Sequence, residues 1–225
     1  MSMLDIIGPV MIGPSSSHTA GAVRLGLLAR QTWAKPITSA DLYLRGSFAA
    51  TYWGHGTDRG LLAGLMGLQP DDPQIVNAFQ LADELGLEYH FYTEDDPGGH
   101  PNTARFVLTN GQSVMELIGC SVGGGMVLLT SINGFDVAID GMSTTLVVPH
   151  RDQPGIISAL SSEMTHRGIN IASMRLSRKF RGDQAVAVME VDSPVDEPLR
   201  KVLEASLPED CRVLVIQPLV SGGAA

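Results

Sequence analysis

The final third of the chain carries the clearest alternation of apolar and polar positions. Residues 144–149 (TTLVVP) are short, apolar and β-branched, which predicts a strand. Asp152-Gln153-Pro154-Gly155 predicts a turn, with Pro154 placed to open a helix. Ile156, Ile157, Leu160 and Met164 then recur at three- and four-residue spacing, the pattern of a helix closed by Gly168. Residues 169–176 and 184–191 predict two strands, joined by a hairpin at Gly182-Asp183. Helical spacing returns over 195–207 through Leu199, Val202 and Leu203, and 212–217 closes as a strand. The order β-α-β-β-α-β is that of a ferredoxin-like split unit of about 75 residues.

The first two-thirds is less regular. Val23, Leu27 and Leu28 give helical spacing within 20–33, and Ser17 or Thr19 is placed to cap that helix. Residues 39–44 alternate as a strand, 58–68 (DRGLLAGLMGL) predict a glycine-interrupted helix, and 73–85 predict another. Short strands are predicted at 89–93, 104–108 and 113–118. Such a mixture indicates an α+β domain. Composition shifts near residue 143, so the domains are read as 1–142 and 143–225, the second with a core at about 144–218. The small residues 221–225 are read as a frayed tail. Residues 117–135 carry no charge, yet Gly119, Gly123, Gly124, Gly125 and Gly134 interrupt them and no basic flank brackets them. A buried strand–turn–strand segment is expected there rather than a membrane span.

Composition narrows the function. Of 225 residues 44% are apolar and 17% charged, enough for a folded core. The net charge of −9 opposes binding to nucleic acid or to anionic membranes. The basic run Arg175, Arg178, Lys179, Arg181 reads as a solvated strand edge. Cys120 and Cys211 are too few for a disulfide scaffold, a zinc ribbon or a four-cysteine iron–sulfur cluster. The N-terminal residues lack the basic region of a signal peptide, so a cytoplasmic location is expected.

Three segments could carry chemistry. In Gly13-Pro14-Ser15-Ser16-Ser17-His18-Thr19, hydroxyls and a histidine precede a helix. Free N–H groups and the helix dipole at such a place suit a carboxylate or phosphate. In Gly54-His55-Gly56-Thr57-Asp58, glycines on both sides allow close approach to a histidine that titrates near neutrality. The same residues also fit a tight turn with Asp58 capping the next helix. His100-Pro101-Asn102 follows a loop rich in acidic residues and glycine, and is the weakest of the three. Gly123-Gly124-Gly125 lacks the ending of a phosphate loop. The spacing of His18, His55 and His100 neither requires nor excludes a shared metal.

Taken together, GPSSSHT at 13–19, GS at 46–47, GHGTD at 54–58, HPN at 100–102 and VGGG at 122–125 resemble the β subunit of bacterial iron–sulfur-dependent L-serine dehydratase. DQPG at 152–155 with RGINIA at 167–172 resembles an ACT domain. The resemblance implies a mixed α/β dehydratase β domain followed by a ferredoxin-like ACT domain. It implies that a separate α subunit holds a [4Fe–4S] cluster, so that this chain holds no metal and is inactive alone. The implied reaction takes L-serine to pyruvate and ammonia without pyridoxal phosphate, the cluster acting as a Lewis acid on the serine hydroxyl. On this resemblance Ser16, Ser17, His18 and Thr19 bind the substrate carboxylate and His55 transfers a proton or orients substrate. Thr57 and Asp58 orient that loop, and His100 and Asn102 are further substrate contacts. Asp152, Pro154, Gly155, Asn170 and Ile171 fall where ACT domains bind a small amino acid, here L-serine, often where two copies associate. The first domain also resembles the allosteric substrate-binding domain of some phosphoglycerate dehydrogenases, which implies the alternative of a non-catalytic serine sensor.

Overall fold

A computed structural model describes residues 11–96 and 98–219 of the chain. The expectations for the extreme N-terminus and for the tail 221–225 lie outside the described residues. The chain divides into two compact units, Met1–Gly134 and Phe135–Ala225.

In the first unit a short π-helical turn, Ser16–Ala20, runs directly into helix α1 (Gly21–Trp33). Strand β1 (Ser39–Arg45) leads into α2 (Gly46–His55), which is followed at once by α3 (Thr57–Met66). A 3-10 turn, Pro73–Asn77, precedes α4 (Ala78–Glu84), so the single helix expected over 73–85 is broken. Asp72 caps that turn and Pro73 opens it, while Asn77 leaves helical geometry before α4 begins. Strands β2 (Glu88–Thr93), β3 (Asn102–Thr109), β4 (Val114–Gly123) and β5 (Met126–Ile132) complete a sheet in the order β2-β1-β3-β4-β5, and β6 (Phe135–Ile139) opens the second unit. β1 is parallel to β2 and antiparallel to β3. The glycine-rich uncharged segment therefore forms strand, turn and strand, as its composition indicated. Among the described residues no helix is long and apolar enough to cross a membrane.

Alternation decides which face of this sheet is covered. Ala40, Leu42 and Leu44 of β1 and Ala104, Phe106 and Leu108 of β3 are fully buried, while their neighbours in sequence are less so. Helix α1 lies on β4 and β5, and α2 on β1 and β3. Helices α1 and α3 approach unusually closely, because small residues face each other. A Cβ on Gly26 would overlap the Leu61 carbonyl, and one on Gly64 would overlap the Val23 carbonyl. This contact ties together the N-terminal ends of α1 and α3, where two of the candidate motifs sit.

The second unit has the predicted β-α-β-β-α-β order: β7 (Thr144–Arg151), α5 (Ile156–His166), β8 (Ile171–Arg178), β9 (Gln184–Val191), α6 (Glu197–Ala205) and β10 (Leu214–Ile216). Its sheet order is β10-β7-β9-β8, antiparallel throughout. Leu146, Val148, Ala187 and Met189 form a core with Leu160, Met164, Leu199 and Leu203 of the helices. Strand β8 lies at the edge and leaves Met174 and Leu176 about half exposed.

Candidate active site

The polar run before α1 folds because its own hydroxyl closes it. Ser15 Oγ accepts the backbone N–H of His18 at 3.1 Å, so Ser15, not Ser17 or Thr19, is the cap. The five residues that follow adopt π geometry, a conformation that recurs at functional sites. Thr19 is buried, and its Oγ1 donates to the carbonyl of His55 at 2.9 Å.

The Gly-His-Gly segment is a junction between two helices rather than an open turn. His55 ends α2, and Gly56, at φ +67°, reverses the chain into α3. Gly56 occupies the N-cap position, so Asp58 is not the cap that its place before an apolar run suggested. Asp58 instead lies buried in the first turn, its Oδ1 accepting from the backbone N–H of Arg59 at 2.8 Å. Burial holds its pKa above the ordinary carboxylate value, only partly offset by that hydrogen bond and by the Arg59 charge. Thr57 is fully buried, and among the described residues its hydroxyl has no hydrogen-bond partner.

These two motifs meet. The imidazoles of His18 and His55 lie 5.2 Å apart, centroid to centroid. His18 Nε2 is 2.9 Å from Ser47 Oγ on the first turn of α2, and Nδ1 is 3.4 Å from Ser15 Oγ. The buried Phe48 meets the His18 ring edge-on at 5.5 Å. Partial burial, and then the neighbouring His55, lower the pKa of His18, which favours the neutral imidazole. Among the described residues the His55 ring has no hydrogen-bond partner. It lines an open cavity of about 190 Å³ with Ile12, Thr19, Trp53, Arg59 and Val76.

The His-Pro-Asn segment docks on the start of α2. The backbone N–H of Phe48 donates to the Pro101 carbonyl at 3.2 Å, and Gly46 forms a bridge with Asn102. Gly46, at φ +54°, permits this approach, since a Cβ there would lie 2.7 Å from Pro101 Cα. Asn102 Nδ2 donates to the Ser121 carbonyl at 3.4 Å, while its buried Oδ1 has no partner among the described residues. The exposed His100 accepts from the Asn102 backbone N–H, and no hydrogen bond links its ring to His18 or His55. Gly123-Gly124-Gly125 forms the β4–β5 turn, where the Gly125 carbonyl accepts from Arg24 at 2.8 Å. Among the described residues no group of three or more His, Cys, Asp or Glu side chains could hold a metal ion.

The model of the family described as "Serine dehydratase beta chain" matches residues 2–96. The chain is 40% identical over 196 residues to the "Probable L-serine dehydratase, beta chain" of Bacillus subtilis, covering 87% of this chain and 89% of that protein. It is 36% identical to the "L-serine dehydratase, beta chain" of Peptoniphilus asaccharolyticus, covering 90% and 92% respectively. The chain belongs to the serine dehydratase beta-chain family.

Family membership also decides between the two resemblances of the first domain. The "D-3-phosphoglycerate dehydrogenase" of Bacillus subtilis is 23% identical across 81% of this beta-chain homologue, but that match covers only 35% of the dehydrogenase. The sensor alternative is therefore not favoured. Within the second unit an ACT domain matches residues 144–207.

The ACT strands separate the two halves of the expected effector site. Asp152 follows β7 at the end of the sheet where Arg151 pairs with Gln184. Asn170 precedes β8 at the other end, where Ile171 pairs with Val191. Because α5 returns the chain across the sheet, about 25 Å of strand lies between them in one copy. Asp152 Oδ2 accepts from Arg178 at 2.8 Å and from the Gly182 N–H at 2.9 Å, which keeps its carboxyl below the ordinary range. Asn170 donates to Asp192 at 2.6 Å. Pro154 and Gly155 are exposed in the loop before α5, and Gly155, at φ +99°, caps that helix.

Sequence reasoning missed Ser15, Ser47, Trp53 and Arg59. Ser47 stood within a motif, but its contact with His18 spans 29 positions and no local pattern announces it.

Proposed function

We propose that this chain is the β subunit of a two-subunit L-serine dehydratase, with a dehydratase β domain at 1–142 and an ACT domain at 143–225. The observation that carries this reading is the meeting of His18, Thr19, Ser47 and His55, from separate motifs, with Thr19 and His55 lining one open cavity, in a chain that is homologous along its length to named beta chains.

In this reading Ser16 and Ser17 hold the substrate carboxylate at the start of α1, while His18 and Thr19, expected to bind it as well, have their donors committed to Ser15, Ser47 and the His55 carbonyl and shape the site instead. His55 takes the Cα proton. His18 is engaged at both ring nitrogens, whereas among the described residues the His55 ring carries no hydrogen bond, and it faces the cavity, which is what a proton acceptor needs. Thr57 and Asp58 set the junction that presents His55. His100 and Asn102 complete the rim from the loop docked on α2. Loss of the Cα proton to His55 and of the β-hydroxyl as water leaves aminoacrylate, which tautomerises to an imine and is hydrolysed by water to pyruvate and ammonia. No pyridoxal phosphate takes part.

This chain does not fit the cluster its family implies. Cys120 and Cys211 are both buried, belong to different units, and have thiol pKa values pushed up by burial. The reading therefore assigns the [4Fe–4S] cluster to a cysteine-rich α subunit, and with it the polarisation of the serine hydroxyl. The site is cytoplasmic in this reading.

The ACT domain binds L-serine where two copies join. Pairing of two exposed β8 edges in antiparallel fashion would bring Asn170 and Ile171 of one copy toward Asp152, Pro154 and Gly155 of the other, which a single copy holds apart. Tagged chain purified without oxygen from its own cells tests the whole reading. Co-purification of a brown, cysteine-rich partner and release of pyruvate from L-serine are expected; a colourless, inactive, unpartnered chain would refute it.

A further inference from the structure

We propose that Ser47 is a positioning residue, whose hydroxyl accepts from Nε2–H of His18 and fixes that imidazole in one tautomer and one orientation for turnover. The geometry comes from both sides of the ring. Ser15 Oγ already accepts the His18 backbone N–H at 3.1 Å, so its own hydroxyl proton can be given to His18 Nδ1, 3.4 Å away. Nδ1 is then an acceptor, and Nε2 carries the hydrogen that meets Ser47 Oγ at 2.9 Å. Phe48, fully buried beside Ser47, meets the ring edge-on and closes a third side.

Ser47 is itself firmly held. It is the second residue of α2, whose cap Arg45 is ion-paired to Glu94 and Asp96, both at 2.8 Å. Its carbonyl accepts from Thr51 Oγ1 at 2.7 Å, and its neighbours Gly46 and Phe48 are pinned to the 100–102 loop. A side chain anchored in this way can orient a partner without moving itself. The consequence for His18 is a neutral ring with a defined donor and acceptor, and a Ser47 hydroxyl hydrogen left over to point at a further acceptor. The catalytic half of this proposal rests on the dehydratase reading; the tautomer half does not.

Two measurements on the same variants test it. In the full-length chain labelled with 15N-histidine, NMR should show His18 as a single Nε2–H tautomer, Ser47→Ala should give a mixture, and Ser47→Thr should restore the single form. In the complex with the α subunit, Ser47→Ala should lower kcat/KM for L-serine by about 10- to 100-fold, chiefly through kcat, with most activity regained in Ser47→Thr. Loss of activity in Ser47→Ala with the tautomer intact, or a tautomer change without loss of activity, overturns the proposal. If the wild-type complex forms no pyruvate the dehydratase reading fails, and the NMR result alone decides whether Ser47 orients His18.

Discussion

Thr19 Oγ1 donates to the carbonyl of His55 at 2.9 Å, joining the first turn before α1 to the last residue of α2 across 36 positions of sequence. The bond fixes the backbone that presents the His55 ring, which among the described residues makes no hydrogen bond of its own. His18, one residue before Thr19, has its imidazole 5.2 Å from that ring. One short segment therefore positions both histidines, and the α1–α3 glycine contact holds together the helices that follow it and His55.

His55→Ala should lower kcat of the two-subunit enzyme by about 10²- to 10⁴-fold, the usual contribution of a positioned proton-transfer group. Its carbonyl still accepts from Thr19, so assembly with the α subunit should be unchanged by size-exclusion chromatography. Near-normal pyruvate formation would remove His55 from the chemistry.

Gly64→Ala should destabilise the first unit by about 1–3 kcal/mol, because the added methyl meets the Val23 carbonyl and the Leu27 backbone nitrogen. Gly54→Ala, where a Cβ meets nothing within 4 Å, should leave stability within about 1 kcal/mol of wild type. Thermal unfolding of the two variants checks the contrast; equal melting temperatures would argue against close packing of α1 on α3.

Asp58 gives a pH signature. Its folded pKa is raised by burial, so the folded chain keeps this proton to higher pH than the unfolded chain. The contribution is therefore most favourable below the ordinary carboxylate pKa and declines as pH rises through the folded value. Asp58→Asn should raise Tm at pH 7 and change it little at pH 4. A Tm at pH 7 equal to or below wild type would show that the buried carboxylate is stabilised in some other way.

The ACT arrangement predicts complementation between copies. Asp152→Ala and Asn170→Ala chains should each lose L-serine binding to the ACT domain when alone. Mixed and re-associated, they should recover part of it, because one composite site in each mixed pair keeps both native residues. Calorimetry that finds no recovery in the mixture would exclude an effector site shared between copies.

The second unit was legible almost element by element, since period-2 and period-3.6 stretches alternate there with turn residues between them. The first unit was legible only in part. Helix α2 escaped because GSFAATYWGH has glycines near both ends and no clear apolar stripe, so it reads as loop. The cap moved to Ser15 because π geometry adds a residue to the turn, which no local pattern reveals. Motif residues could be picked out by type and spacing, but their meeting could not. His18 reaches Ser47, and Asn102 reaches Ser121, only after the sheet and α1 have folded.

The most direct measurement is a reconstitution titration under anaerobic conditions, adding this chain to a fixed amount of iron-loaded α subunit and following pyruvate from L-serine. Neither chain alone should be active, and activity should rise and saturate at a fixed ratio of the two. Full activity from the α subunit without this chain would contradict the two-subunit reading.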